Sequence, residues 1–315
     1  MSYIRYKIEK QQVSYDSGVT WVDTSVTRKG EYVGTYSTLS ECETGGDTSY
    51  SGQYFTIESL VDNNVVKFNS HASRTVSVST NGGFTWTEYT ASDGIQPTIA
   101  TLNTGQKAII KGMNSTYYDY VGGNPSGYPS YFWTSGRYIV YGNIMSLIYG
   151  DSFRTENTLT GNRNFMGFFG SSNENLNTAN LISVANLVLP ATVLTNHCYD
   201  VMFGNCKSIT EAPVLPATTL AEYCYSYMFQ DCTSLTTAPE LPATTLAANC
   251  YYSMFRDCTS LNSVTCQATD ISARLCTYSW LRGVAASGTF VKAASMTEWG
   301  TGSSGIPEGW TVQNA

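Results

Sequence analysis

Charge is scarce in this sequence. Of 315 residues, 13% are Asp, Glu, Lys or Arg, about half the fraction of an ordinary soluble protein. Chains that stay unfolded carry high charge and few aromatics. Here 42% of residues are apolar and 13% aromatic, which excludes that class. Positive charge is the scarcer sign, with 17 Lys and Arg against 24 Asp and Glu and a net charge of −7. The isoelectric point of about 4.9 leaves no basic surface for a nucleic acid. Histidine occurs twice, which starves imidazole-based metal and acid–base sites. Long apolar runs are absent too. Nothing approaches the roughly 18 residues of a membrane-crossing helix, so no membrane insertion is expected. The opening Met1-Ser2-Tyr3-Ile4-Arg5-Tyr6-Lys7-Ile8 alternates charge with apolar residues and does not read as a secretory signal.

Thr, Ser, Asn, Gly and Tyr take the place of charge, and Tyr alone occurs 23 times. A polar, uncharged, aromatic-rich chain of this kind reads as β-rich and suited to an extracellular or virion surface. Its length allows two or three domains.

Seven of the nine cysteines follow a period. Cys198, Cys224, Cys250 and Cys276 are 26 residues apart, and so are Cys206, Cys232 and Cys258. An odd count argues against a complete disulfide framework, and zinc sites want closely spaced pairs. The spacing therefore reads as a structural repeat with buried free thiols, and no metal or cofactor is expected. Around the cysteines recur Leu189-Pro190-Ala191-Thr192, Leu215-Pro216-Ala217-Thr218 and Leu241-Pro242-Ala243-Thr244. Met202-Phe203, Met228-Phe229 and Met254-Phe255 recur at the same interval. A fixed period of this length marks a stacked array.

Within one unit, Leu220, Cys224 and Met228 fall at i, i+4 and i+8, the spacing of one helix face. Thr218-Thr219 would cap the helix start, and Pro239 and Pro242 would end the unit in a bend. Each unit is thus expected to be helix, turn, short strand and bend. The repeated Cys, Met and Phe residues form its inner columns.

The string Cys-Tyr-x-x-Met-Phe-x-x-Cys-x-Ser-Leu-x-x-Ala-Pro-x-Leu-Pro-Ala-Thr resembles the BspA-like leucine-rich repeat, most closely from Tyr225 to Thr244. The resemblance covers residues 165–285 and implies an α/β leucine-rich-repeat solenoid. Phe165-Met166-Gly167-Phe168-Phe169 looks like a degenerate first unit, and the unit at Cys276 has Trp280 where Met stood. Such repeats occur in surface proteins of gut bacteria and in tail or head fibres of their phages.

The N-terminal half reads all-β. Ile4, Tyr6 and Ile8 alternate as in a half-buried strand. Ser14-Tyr15-Asp16-Ser17-Gly18-Val19-Thr20-Trp21 and Ser79-Thr80-Asn81-Gly82-Gly83-Phe84-Thr85-Trp86 resemble the Asp-box of sialidase-type propellers, a structural hairpin motif. Strands are predicted over 54–61, 65–69, 75–79, 84–89, 107–112 and 137–141, a pattern that suggests a sandwich. The expected organisation is multidomain: a small β-hairpin module (1–44), a β-sandwich (45–150), the repeat solenoid (151–287) and a β C-cap (288–315).

No catalytic set emerges. His71 and His197 lie in different predicted domains, no nucleophile elbow is present, and there is no P-loop, dinucleotide fingerprint or calcium loop. Glu211, Glu222, Asp231, Glu240 and Asp257 sit at variable repeat positions. The chain therefore reads as a non-enzyme. Its binding candidates are aromatic. Tyr117, Tyr118, Tyr120, Tyr128, Tyr131 and Trp133 crowd a stretch rich in small residues, a composition suited to recognition. Tyr199, Tyr225 and Tyr251 form a column that either packs or binds. These features lead to the expectation of a virion surface or fibre protein that attaches to a host cell. Other virion proteins would dock on the N-terminal module, and a host glycan or protein would be the ligand. A second copy of the chain is a further candidate partner. The alternative is a bacterial surface adhesin or glycan-binding protein.

Overall fold

The computed structural model describes residues 50–119, 127–170, 178–297 and 299–315, together with the backbone of three strands before them. These three, β1 (Tyr3–Lys7), β2 (Val13–Ser14) and β3 (Glu31–Tyr36), form an antiparallel sheet in the order β2-β1-β3. There follow β4 (Phe55–Ser59), β5 (Asn64–Asn69), β6 (Arg74–Ser79), β7 (Thr87–Ala91), β8 (Thr98–Leu102) and β9 (Lys107–Gly112). Next come β10 (Tyr118–Asp119), β11 (Tyr128–Pro129), β12 (Tyr131–Thr134), β13 (Tyr138–Asn143) and the short helix α1 (Ser146–Tyr149). The chain then contributes β14 (Leu181–Ser183), β15 (Leu187–Val188), β16 (Ser263–Cys266), β17 (Thr289–Lys292) and β18 (Thr311–Asn314).

Two sheets hold β4–β9, β12 and β13. A seven-stranded sheet runs β14-β13-β4-β9-β6-β7, with β15 also on β13, and a three-stranded sheet runs β12-β5-β8. Alternation along each strand sends one set of side chains inward. Phe55 and Ile57 of β4 and Ala108 and Ile110 of β9 are buried, as are Val66 and Phe68 of β5. The inner faces meet at Phe55 and Phe132, whose rings lie 5.7 Å apart. The strands that escaped the sequence reading include β8 and β12, as well as β3 and the two-residue β10 and β11. The stretch from Ser79 to Trp86 is a tight link between antiparallel β6 and β7. There Asn81 Oδ1 accepts from the Thr85 amide and Ser79 Oγ from the Gly83 amide. Gly82 and Gly83 take the positive φ that the turn requires.

The repeat region departs from expectation, and the α/β leucine-rich-repeat solenoid is not seen. Among the described residues the protein is mostly β-sheet with no closed sheet, and α1 is the one α-helix. The stretches read as helices are runs of turns. Even-numbered amides bond locally: Cys224 to the Ala221 carbonyl, Ser226 to Tyr223, Met228 to Tyr225. Odd-numbered amides reach the next repeat: Tyr225 to the Cys250 carbonyl, Tyr227 to Tyr252, Phe229 to Met254. A helix would bond every amide within itself; here alternate ones join neighbouring repeats. This geometry puts every fourth residue in the left-handed region. Tyr223, Tyr227 and Asp231 have φ of 56°, 53° and 58°.

The misreading has a physical cause. Apolar residues at i, i+4 and i+8 fit a helix of 3.6 residues per turn and a run of turns with period four equally well over so short a window.

Equivalent side chains stack. Phe165, Tyr199, Tyr225, Tyr251 and Trp280 form one column with centroids 5.9–6.2 Å apart. Phe169, Phe203, Phe229 and Phe255 form another at 5.4–5.6 Å. Each such pair contributes about 0.5–1.5 kcal/mol beyond burial. Cys198, Cys206, Cys224, Cys232, Cys250 and Cys258 are buried free thiols beside buried Met202, Met228 and Met254. The Cys232 and Cys258 thiols donate to the Phe203 and Phe229 carbonyls of the preceding repeats, at 3.1 and 2.9 Å. At the far end, β16, β17 and β18 pair in parallel. Phe168 touches both Phe55 and Phe132, so one apolar core runs from the sheets into the repeats.

Candidate functional site

The structure separates the aromatic candidates sharply. Tyr199, Tyr225 and Tyr251 are buried in the ring column, and burial pushes each phenol well above its ordinary pKa. Tyr117 is buried as well, donating to the Leu147 carbonyl at 3.1 Å and stacking on Phe165. Tyr118 is buried in β10, and Tyr120 lies outside the described residues. Tyr128 is 38% exposed and lies against His71, with ring centroids 4.3 Å apart. His71 in turn meets Asp93 at 3.1 Å.

Tyr131 and Trp133 remain. They are alternate residues of β12, so both point away from the core while Phe132 and Thr134 point into it. The neighbouring strand completes the surface. Asn69 sits opposite Tyr131 and Lys67 opposite Trp133 in the β12–β5 register. With Gln96 these residues line a groove of about 300 Å³. Asn69 donates to the Tyr131 hydroxyl at 2.6 Å, leaving that hydroxyl's own proton free to donate outward. Desolvation raises the Tyr131 pKa, against a smaller lowering by Asn69, so the phenol is neutral at physiological pH. The Lys67 ammonium lies 5.6 Å from the Trp133 ring centroid, which holds the indole in place. The lining contains two aromatic rings, two amides and an ammonium, but no carboxylate, imidazole or thiol.

The groove rests on a buried polar clamp. Arg74 on β6 pairs with Asp119 on β10, their side chains 9% and 3% exposed. Arg74 also donates to the Thr116 and Tyr118 carbonyls. Asp119 accepts from the amides of His71 and Ala72 at 3.2 and 2.9 Å. This fixes β10, its partner β11, and through β11 the start of β12.

Sequence reading found Tyr131 and Trp133 but missed Lys67, Asn69 and Gln96. Only strand register brings Lys67 and Asn69 onto the same face, and Gln96 joins them from the loop before β8, although Val65, Lys67 and Asn69 alternate visibly with apolar Val66 and Phe68. Among the described residues no group of three or more His, Cys, Asp or Glu is placed to hold a metal. Nor is any helix among them long and apolar enough to cross a membrane. Comparison with protein-family models, curated proteins and solved structures found no match.

Proposed function

We propose that the protein is a non-enzymatic attachment protein that offers the Tyr131–Trp133 groove to a glycan of a host-cell surface. The observation that carries this reading is the pairing of two outward rings on one strand with flanking amides and an ammonium. Sugar rings present CH faces that lie on aromatic rings, and their hydroxyls need adaptable donors and acceptors such as Asn69 and Gln96. The lining also lacks the pair of carboxylates that glycoside hydrolysis requires. The sequence resemblance to BspA-like repeats supports placement on a virion surface, with residues 1–44 docking to the particle.

The test is a glycan array probed with wild type and Trp133→Ala. Wild type binds a defined set of glycans. The variant loses about tenfold in affinity, about 1.4 kcal/mol, at unchanged melting temperature. Equal binding by the variant, or turnover of the bound glycan, overturns the reading. Antibody labelling of purified virions checks the location.

A further inference from the structure

The outer face of the seven-stranded sheet carries a second cleft, on the opposite side of the paired sheets from Trp133. Its floor is Thr56 of β4 and Ile109 of β9, which sit opposite each other in register. Tyr141 of β13 lies beside Thr56 on the other flank. Tyr54, Arg154, Lys107, Gln106 and the Gly82-Gly83 turn enclose a volume of about 270 Å³. This is just below the range of clefts that hold drug-sized ligands and suits one sugar-sized unit.

Each aromatic wall carries a cation. The Arg154 guanidinium lies 5.2 Å from the Tyr54 centroid, and the Lys107 ammonium 5.6 Å from that of Tyr141. The carboxylates nearby stand outside the lining and are already engaged. Asp151 accepts from the Tyr54 hydroxyl at 2.8 Å and from Lys111 at 2.7 Å. Glu58 accepts from the Tyr141 hydroxyl at 3.0 Å, and Lys107, 52% exposed, stands 3.8 Å from it. Both tyrosines are thus locked by their hydroxyls, with their rings set as walls. The cleft lining contains two cations and no acid, in a chain of net charge −7.

We infer that this cleft is a second ligand site, selective for an acidic saccharide unit. Its carboxylate would meet Lys107 and Arg154, and its ring would lie between Tyr54 and Tyr141. Thr56, Thr80, Gln53 and Gln106 supply polar groups along the lining for hydroxyls. The selectivity follows from the charge difference: a neutral sugar forfeits the charge-assisted contacts, which are the strong ones.

The probes are methyl β-glucuronoside and its neutral counterpart methyl β-glucoside, compared on the full chain by saturation-transfer NMR and titration calorimetry. The glucuronoside is expected to bind about tenfold more tightly, and more weakly in high salt. Lys107→Gln, at an exposed position, should remove most of that preference without changing the melting temperature. Trp133→Ala should leave it intact, so failure of the groove reading and failure of this one are distinguishable. Arg154→Lys keeps the charge and should keep the preference. Equal affinity for the two probes, a Lys107→Gln variant that binds like wild type, or loss of binding in Trp133→Ala would each overturn the inference.

Discussion

Replacing Arg74 by Met tests whether the clamp beneath the groove is a load on the fold. Arg74 and Asp119 are 9% and 3% exposed, so neither charge is screened by water. Met keeps much of the Arg stem volume but leaves the Asp119 carboxylate buried without its cation. The Thr116 and Tyr118 carbonyls lose donors at 2.6 and 3.2 Å as well. Breaking a buried pair from one side costs about 3–5 kcal/mol. The amides of His71 and Ala72 still reach Asp119, which favours the lower part of that range. At about 2–4 °C per kcal/mol for a domain of this size, the melting temperature should fall by roughly 10 °C. The double variant Arg74→Met/Asp119→Leu removes the stranded charge and should recover part of the loss. It should not recover all of it, because the His71 and Ala72 amides then lack an acceptor. Urea and thermal unfolding followed by circular dichroism, read as a double-mutant cycle, decides the matter. A single-variant loss under about 1 kcal/mol, or a double variant less stable than the single, would refute the reasoning.

Two further predictions concern the repeats. Met228 is fully buried and equivalent to Met202 and Met254, so Met228→Asp places a charge among apolar columns. It should cost more than about 4 kcal/mol and strip hydrogen-exchange protection from the amides of residues 221–258; a wild-type melting curve would contradict the column assignment. Leu275 has φ 51° and is 41% exposed, in register with Asn249 at φ 54°. Leu275→Asn should therefore raise stability by roughly 1 kcal/mol, since Asn tolerates the left-handed region better. Leu275→Ile, β-branched at a positive φ, should lower it; chemical denaturation that ranked the two in the reverse order would reject the turn geometry.

The repeat itself was legible because its period is written in the Cys, Met, Phe and Leu-Pro-Ala-Thr positions. Its conformation was harder to read. A faint signal is present in the column Asn205, Asp231, Asp257 and Gly283, all residues that tolerate positive φ, and all four adopt it. Read together they mark a left-handed position at the end of each unit, which a helix would not repeat. The intervening left-handed positions hold Val201, Tyr227 and Leu275, which no local preference would place there. Hydrogen bonds to the next repeat and the ring columns compensate for that strain.

The aromatic site divides in the same way. Composition alone marked the stretch from Tyr117 to Trp133 as aromatic, small-residue rich and suited to recognition. It could not tell Tyr117, enclosed against Phe165 and Phe168, from Trp133 on the outer face. That difference depends on the parity of each residue along its strand and on which strand lies beside it. The clamp of Arg74 and Asp119 joins residues 45 positions apart, and nothing local in either neighbourhood announces it.

By itself the sequence determined the period, the residue types of the columns, the shortage of charge and the β character of the first half. Each of these follows from composition or from spacing along one chain. The tertiary structure alone decided that alternate amides bond between repeats, which tyrosines are sealed, and that Lys67, Asn69 and Gln96 join Tyr131 and Trp133. Those outcomes depend on register between distant segments, and register is set where buried faces and backbone hydrogen bonds must be satisfied together.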